Sequence, residues 1–505
     1  MIRLSLIRSR ALLALTATAL MVASSATAAE AASIQPSDAS QAKFLAAEGP
    51  HSASGTGWQT ARFLRQLGRY GYVSQSGAEA VFDLNERYCS GAVFSGMWPN
   101  PQSPYIVTRL PEVPGQAPNT NPPVSWRLRQ DEAVVLIGTT PPPEEYYSFD
   151  LTMVRGSLQT GPVLWTSIGD PINLKTVRTT GPTPFGRSFA LVITGNRRTQ
   201  AKVDKMLAAS GLGAATNNMT IPPAMFRLGL DAGADQFLLG MRTSAPLPGF
   251  EQALERYRAT PPLQVFRVRP GGSGNQTQPV YLPDPLPVPN LRVSGTGATE
   301  LNLNPTLQLL RQRIIDAHPG YNATDGVVER GFEESYPGLQ DKLVIDPPTT
   351  GVGALSNDAD DPITPNFALP EGSFLVAYGT NHSATGQAAY SSVTVYADEK
   401  AAVALAAENN LNLYGSARDF IGDQKNADKF YAWTFSRAGD GGPTGAHVTM
   451  LPSTNSDFCA QYGGNRPVDL STLRLVARAY MQPATLSRPA LSSLLLDRVL
   501  VFTPK

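Results

Sequence analysis

Apolar residues recur along the chain in two patterns, a helical one and a series of short, strongly apolar runs. The helical pattern, apolar at every third or fourth position, predicts helices over residues 58–72, 198–211, 250–259, 306–317 and 470–481. In the first of these, Phe63, Leu67 and Tyr70 share one face, whereas three arginines lie elsewhere. We expect each helix to pack its apolar face on a core.

The apolar runs recur in the same order in two parts of the chain. EAVVLIGTT at 132–140 resembles GSFLVAYGT at 372–380, because both close on Gly-Thr. YYSFDLTMV then pairs with AAYSSVTVY, LWTSIGDPI with LYGSARDFI, and SFALVIT with KFYAWTFS. This order predicts a diverged internal duplication, with two similar lobes and a cleft between them. Chance similarity of short apolar runs is the alternative.

Proline-dense stretches at 99–123, 270–290 and 346–370 separate these regions. Such sequence is typical of long extended connections. The expected division is a signal peptide at 1–28, an N-terminal segment at 29–125, a first α/β lobe at 126–270, a Pro-rich and helical connection at 271–370, and a second α/β lobe at 371–505. The predicted fold class is mixed, α+β or α/β.

The N-terminus has the composition of a secretory signal peptide. Three arginines precede an apolar run at 11–23, and Ala-Thr-Ala at 26–28 matches a signal peptidase site. The run is too short for a permanent anchor, and no later segment is long and apolar enough to span a bilayer. We therefore expect a secreted or periplasmic mature chain without a membrane span.

Charge and cysteine content narrow the expected partners. The 505 residues include 41 basic and 41 acidic ones, so no net field favours nucleic acid or an anionic membrane surface, and nucleic-acid binding is not expected. The two cysteines, Cys89 and Cys459, are predicted to form a disulfide, because an exported chain meets an oxidising compartment. Two buried thiols are the alternative.

The candidate site lies in LVAYGTNHSATGQAAYSSVTVY, residues 375–396. His382, one of four histidines, follows an apolar run, and loops at strand ends carry functional groups in α/β proteins. Its imidazole can transfer protons near neutral pH, with Asn381 and Tyr390 near it in sequence. The first lobe has Thr-Pro where the second has Asn-His, as expected of a site present in one copy. The alternative is a turn with a solvated histidine.

The matching loop of the first lobe, PPPEEYYS at 141–148, adds carboxylates and aromatic rings. Glu145, Tyr146 and Tyr147 are expected to bind substrate, although adjacent strand residues point to opposite faces and at most one of each pair faces a given pocket. An ordinary exposed loop is the alternative. A further loop, SNDADDP at 356–362, has acidic oxygens suited to calcium but lacks EF-hand spacing, and a solvated acidic loop is favoured.

Familiar catalytic signatures are absent from the sequence. It contains no G-x-S-x-G, GxxxxGK[ST] or HExxH, and its motifs identify no family, metal or cofactor. We expect a secreted enzyme that acts on a small organic substrate by hydrolysis or proton transfer. The expected site residues are His382 and Tyr390 in catalysis and Asn381, Tyr146, Tyr147 and Glu145 in substrate binding. Two alternatives remain open: a non-catalytic protein whose lobes enclose a small ligand, and an envelope structural protein.

Overall fold

The computed structural model describes residues 56–121, 124–159, 163–273, 284–327, 330–331, 356–397, 401–424, 426–437 and 442–505. The signal peptide predicted at 1–28 lies outside these ranges. The described residues up to 273 are called the first half, and those from 284 onward the second half.

The helices of the described ranges confirm four of the five predicted from periodicity. Numbered along the chain, the α-helices are α1 (Gly57–Arg69), α2 (Leu84–Cys89), α3 (Arg197–Ala209), α4 (Glu251–Ala259), α5 (Asn304–Asp316), α6 (Asn410–Leu413), α7 (Arg418–Ile421) and α8 (Asp457–Ala460).

The first half folds into two sheets, whose strands are numbered in chain order. Its outer sheet has the order β1 (Tyr72–Ser76), β11 (Leu263–Pro270), β4 (Ala133–Thr139), β8 (Ser188–Thr194), β9 (Thr216–Thr220). Its inner sheet has the order β2 (Ala78–Val81), β3 (Tyr105–Arg109), β10 (Gln236–Thr243), β5 (Tyr147–Gly156), β6 (Val163–Ser167), with β7 (Ile172–Asn173) beside β5.

The second half also folds into two sheets. Its outer sheet has the order β12 (Tyr321–Val327), β22 (Arg498–Pro504), β16 (Phe374–Thr380), β19 (Phe430–Arg437), β20 (Val448–Leu451). Its inner sheet has the order β13 (Arg330–Gly331), β15 (Pro362–Ile363), β21 (Leu473–Tyr480), β17 (Tyr390–Ala397), β18 (Val403–Asn409), with β14 (Ala359–Asp360) beside β21.

The two halves share one strand order. In both outer sheets the last pair, β8–β9 or β19–β20, is parallel and the other pairs are antiparallel, whereas the inner sheets are antiparallel. Helices and mixed or antiparallel sheets together make the protein α+β, which confirms the mixed fold class. The equal strand order is a likeness of topology, and duplication of the sequence stays a prediction.

The proposed sequence repeats match this topology in three of four cases. The runs ending in Gly-Thr form β4 and β16, the second runs form β5 and β17, and the fourth runs form β8 and β19. The third pairing is wrong, because LWTSIGDPI contributes β6 whereas LYGSARDFI contributes residues to the short helices α6 and α7.

The fifth predicted helix, at 470–481, is also wrong, because Leu473–Tyr480 forms strand β21. The strand is buried along its length between β15 and β17, so apolar residues are required on both of its faces. A run that is apolar on both faces contains helix-like spacings by coincidence, and periodicity alone does not separate the two structures.

Each outer sheet lies between helices and its inner sheet. In the first half, Phe63 of α1 and Met206 of α3 share a cluster with Val135 of β4. The neighbouring Val134 and Leu136 belong instead to the cluster formed with the inner sheet. Successive side chains of a strand point to opposite faces, so both faces of β4 are buried, one against the helices and one against the inner sheet.

The predicted domain boundaries can be compared with the sheets. Strands β1, β2 and β3 come from the predicted N-terminal segment; β1 and β3 pair with β11 and β10 of the predicted first lobe, and β2 pairs with β3. Strand β12 comes from the predicted connection and pairs with β22. The described parts of both segments therefore complete the sheets, and the boundaries themselves stay a prediction.

The halves are joined by contacts near α2. Cys89 at its end forms the predicted disulfide with Cys459 of α8, with Cα atoms 5.1 Å apart. Within the same helix, Asn85 donates a hydrogen bond to the carbonyl of Ala404, 3.2 Å away. The helix that precedes β3 therefore packs on the second half. In the described ranges, no helix combines the length and apolarity needed to cross a bilayer.

Replacing both cysteines by alanine should lower the free energy of unfolding by about 2–5 kcal/mol, because the disulfide closes a loop of 370 residues in the unfolded chain. Denaturant unfolding of the double variant measures the loss. Reducing agent should lower the stability of the wild type by a similar amount and leave the variant unchanged. An equal effect of reducing agent on both proteins would contradict the prediction.

Candidate functional site

His382 lies just past the end of β16 and is buried, with 2% of its surface exposed. Its Nδ1 lies 3.0 and 3.1 Å from the two carboxylate oxygens of Glu300, and its Nε2 lies 3.2 Å from Oδ2 of Asp497. The imidazole is therefore held between two carboxylates, and the solvated turn histidine considered from the sequence is wrong.

Both carboxylates have further partners. Glu300 accepts hydrogen bonds from the Thr380 hydroxyl and the Leu495 amide, each at 2.9 Å, and from the Thr385 hydroxyl. Tyr431 donates to Oδ1 of Asp497 at 2.5 Å. The network ties the segment before α5 to the ends of β16, β19 and β22.

The charge of this network follows from its geometry. Burial alone would lower the pKa of His382, but the carboxylates of Glu300 and Asp497 outweigh it and raise that pKa well above the ordinary value. Burial likewise favours a raised pKa for Glu300, yet the charged imidazole and its hydrogen bonds lower it. An imidazolium that donates both N–H groups has no lone pair to accept a proton, so His382 is not poised as a general base.

The Gly-Thr pair has the same packing role in both halves. A Cβ atom added to Gly379 would lie 2.5 Å from Oδ1 of Asp497, and one added to Gly138 would lie 2.5 Å from Cδ2 of Leu263. A glycine is therefore required at both positions because the neighbouring strand crosses close by. The first half places an apolar side chain there, and the second half places the carboxylate that holds His382.

Three other predicted site residues, Asn381, Tyr147 and Glu145, do not contact the His382 imidazole. Asn381 donates from Nδ2 to the Asn410 carbonyl at 2.9 Å, and the Tyr147 hydroxyl donates to the Pro184 carbonyl at 2.5 Å. Glu145 is half-buried. Its neighbour Glu144 is the buried carboxylate, whose pKa burial raises well above the ordinary value. These placements agree with the expected alternation of adjacent residues.

Tyr146 and Tyr390, by contrast, meet in one place. Both rings pack on Tyr480, with centroid distances of 5.3 and 5.2 Å. This contact joins the inner sheets of the two halves. We call the buried polar and aromatic residues here the interface cluster: Asn100, Tyr105, Tyr146, Asp150, Arg242, Asp358, Asp361, Tyr390, Arg478 and Tyr480.

The two halves supply partners to each other's tyrosine. Asp358 of the second half accepts a hydrogen bond from the Tyr146 hydroxyl at 2.8 Å, and Asn100 of the first half donates to the Tyr390 hydroxyl at 3.4 Å. Asp358 and Asp361 are buried, so the solvated acidic loop favoured for 356–362 is wrong. Among the described residues, no group of three His, Cys, Asp or Glu side chains is arranged to hold a metal ion.

Two arginines occupy equivalent places in the interface cluster. Arg242 of β10 lies opposite Ser148 of β5, and Arg478 of β21 lies opposite Ser392 of β17. Both arginines are 3% exposed. Because the inner sheets share one strand order, the two guanidinium groups can be compared directly.

The environments of these arginines differ. Arg478 donates to the Trp98 carbonyl at 3.0 Å and the Thr394 hydroxyl at 3.3 Å, and its Nε lies 3.3 Å from Oδ1 of Asp361. Nε and Nη1 of Arg242 find no hydrogen-bond partner among the described residues, and its Nη2 lies 3.9 Å from Asp150. Arg478 is therefore satisfied by this chain, whereas Arg242 retains donors.

The surroundings of Arg242 are mainly aromatic. Its guanidinium carbon lies 5.3 Å from the ring centroids of both Tyr105 and Tyr480, within the range of cation–π attraction. Burial raises the pKa of Asp150 to about 6, although the Arg242 charge opposes the rise. The site thus combines a fixed cation, tyrosine faces and a carboxyl group that titrates near neutral pH.

Sequence reasoning missed Arg242, Arg478 and the burial of Asp358. A signal was present, because Tyr-x-Ser occurs at 146–148 and at 390–392 within the second recurring runs. An arginine inside an apolar run, as in LLGMRT and LVARAY, marks a strand whose cation needs a buried partner. Which partner it meets depends on the packing of the two halves.

Replacing Glu300 by Gln should lower the free energy of unfolding by about 3–5 kcal/mol, because it removes one partner of a buried charge. The matched control is Glu371→Gln, an exposed position where we expect a change of about 0.5 kcal/mol or less. Denaturant unfolding compares the two variants. Equal stability of both would show that Glu300 does not hold His382.

The charge on His382 should persist through neutral pH. Its folded pKa is raised, so the stability that it contributes is complete below the unfolded value of about 6.5 and is lost as pH rises through the higher folded value. NMR of the imidazole nitrogens should show imidazolium at pH ~6.5, where an ordinary histidine is half-titrated. Titration of His382 near pH ~6.5 would contradict this prediction.

Comparison with known proteins adds little. No protein-family model matches the chain, and no curated protein matches it. A similar solved structure is that of the VPA0106 protein from Vibrio parahaemolyticus, with a TM-score of 0.37 and 11% sequence identity. The alignment covers 80% of this chain and 89% of that one. A likeness of this strength carries no argument about fold or function.

Proposed function

We propose that this chain is an exported, non-catalytic binding protein whose two halves hold a small anionic ligand against Arg242. The observation that carries the proposal is the pair of unsatisfied guanidinium nitrogens, Nε and Nη1, at a site that is 3% exposed. Buried polar groups are nearly always hydrogen-bonded, and the carboxylate nearest to Arg242, that of Asp150, lies 3.9 Å from its Nη2.

Comparison of the two halves supports a ligand at Arg242. The equivalent Arg478 obtains a carbonyl, a hydroxyl and a carboxylate from the chain itself. Arg242 has the same burial and the same strand position. Its Nε and Nη1, however, find no hydrogen-bond acceptor among the described residues. Guanidinium N–H groups donate strong hydrogen bonds to carboxylate or phosphate oxygens.

The nearby groups limit what would bind. The rings of Tyr105 and Tyr480 flank the guanidinium, so a compact ligand with an apolar or planar body fits better than a fully hydrated ion. Asp150 repels an anion when ionised, and its raised pKa of about 6 means that affinity should increase as pH falls through this value.

The enzyme expected from the sequence is the less favoured function. It requires His382 to meet a substrate, yet His382 is 2% exposed and both of its nitrogens face carboxylates. Its network resembles a buried structural charge cluster, in which removal of a member costs stability. The predicted loss of stability in Glu300→Gln distinguishes this role from catalysis.

Native mass spectrometry of the gently purified, full-length export product tests the binding function. We expect the wild type to retain a small organic mass that denaturation releases, because a ligand buried at a 3% exposed site dissociates slowly. Arg242→Met should lose that mass. The matched Arg478→Met should keep it while losing stability, since it removes a partner of the buried Asp361.

Two results together would overturn the proposal. They are a wild type without bound mass and a wild-type melting temperature that small anions do not raise. Thermal denaturation with millimolar acetate, succinate and inorganic phosphate gives an independent measurement, since a ligand that binds only the folded chain raises its melting temperature.

A further inference from the structure

Helix α1 carries a line of basic residues on its outer side. Arg62, Arg65 and Arg69 follow Trp58 at spacings of four, three and four residues, which places all four side chains on one stripe of the helix. They lie opposite the buried Phe63 and Leu67, and Trp58 is 55% exposed. The stripe is therefore presented to solvent.

Helix α3 carries a second line beside the first. Arg198, Lys202 and Lys205 are exposed and spaced by four and three residues. The Lys205 ammonium lies 5.6 Å from the ring centroid of Tyr70 at the end of α1. The two helices pack together on the same side of the outer sheet. Their basic lines thus form one surface, which we call the basic helical face.

The basic helical face is uncompensated and partly apolar. Among the described residues, no ion pair joins its six cations, which are Arg62, Arg65, Arg69, Arg198, Lys202 and Lys205, to a carboxylate. Asp204 of α3 is half-buried and hydrogen-bonded to Asn218 instead. Two large aromatic side chains, Trp58 on the stripe and Tyr70 at its end beside Lys205, are exposed here. Surface cations usually alternate with acids, and this face does not.

The second half lacks such a face. Helix α5 holds the equivalent place against its outer sheet, with Leu307 and Ile314 buried. Its Arg311 pairs with Asp325, and an acidic residue, Asp316, ends the helix. The two halves thus share a topology but differ in the charge of their outer helices. Core packing does not require the cations of α1.

We propose that the basic helical face docks on the surface of an anionic lipid bilayer. Arginine and lysine on an exposed helix face attract anionic headgroups, and tryptophan and tyrosine beside them enter the interfacial region. The chain has 41 basic and 41 acidic residues, and this balance gives no sign of the basic helical face, because net charge averages over the whole surface. The site is separate from Arg242 and does not depend on the proposed ligand.

A membrane fits this face better than nucleic acid does. An exposed tryptophan at one end of the stripe and a tyrosine at the other mark the position of side chains at a lipid interface. The face lies on two helices packed on a sheet, and neither helix projects from the body as a groove-reading helix must. A peripheral contact with headgroups requires only a flat surface.

Vesicle co-sedimentation of the full-length export product tests this docking. We expect the wild type to bind phosphatidylcholine vesicles that contain about one third phosphatidylglycerol, and to bind pure phosphatidylcholine much more weakly. The double variant Arg62→Gln/Arg65→Gln should bind about 25-fold more weakly, at about fivefold for each cation. Trp58→Ala should weaken binding further in a salt-independent way.

The matched control removes two exposed cations from the second half, Arg313→Gln/Lys505→Gln, and should bind like the wild type. Circular dichroism should show all variants folded, since every changed residue is exposed. An equal loss of vesicle binding in the control would show that the net charge alone causes the effect, and it would overturn the proposal. Binding to duplex DNA but not to the vesicles would overturn it in favour of a nucleic-acid surface.

Discussion

The interface between the two inner sheets places charged groups where water does not reach, and each of them must find a partner within the protein or from a ligand. Arg478 meets this requirement with Asp361 and with two oxygens of the chain. Arg242 meets it only in part, because Asp150 lies 3.9 Å away and its Nε and Nη1 find no hydrogen-bond partner among the described residues. Because unsatisfied buried donors are costly, the two arginines differ in what they require from their surroundings.

A shared topology with unequal chemistry is the general property of the two halves. The same strand order places Gly138 and Gly379 against a neighbouring strand, yet the neighbour is Leu263 in one half and Asp497 in the other. The outer helices differ in the same way, one basic and one mixed in charge. The fold therefore accepts different side chains at equivalent positions. One half can carry a charged or polar cluster where the other half carries apolar residues.

Agreement between sequence and structure depended on how local each feature was. The helix at 58–72 and the Gly-Thr strands follow from patterns within a dozen residues, and the structure contains them. The pattern over 473–480 predicts a helix where the structure has a strand, because burial on both faces removes the alternation that identifies a strand. The sequence marks His382 as a candidate site residue, but its burial between Glu300 and Asp497 depends on residues that are distant in sequence.

The sequence by itself determined the mixed α and β composition, the cysteine pair and the positions of the apolar runs, because these depend on residue type and short-range spacing. Only the tertiary structure decided that Tyr146 and Tyr390 meet across one interface and that Asp358 is buried against Tyr146. It also decided that the six cations share one face. Such features depend on residues that are tens to hundreds of positions apart, and their burial and charge environment exist only after the chain has packed.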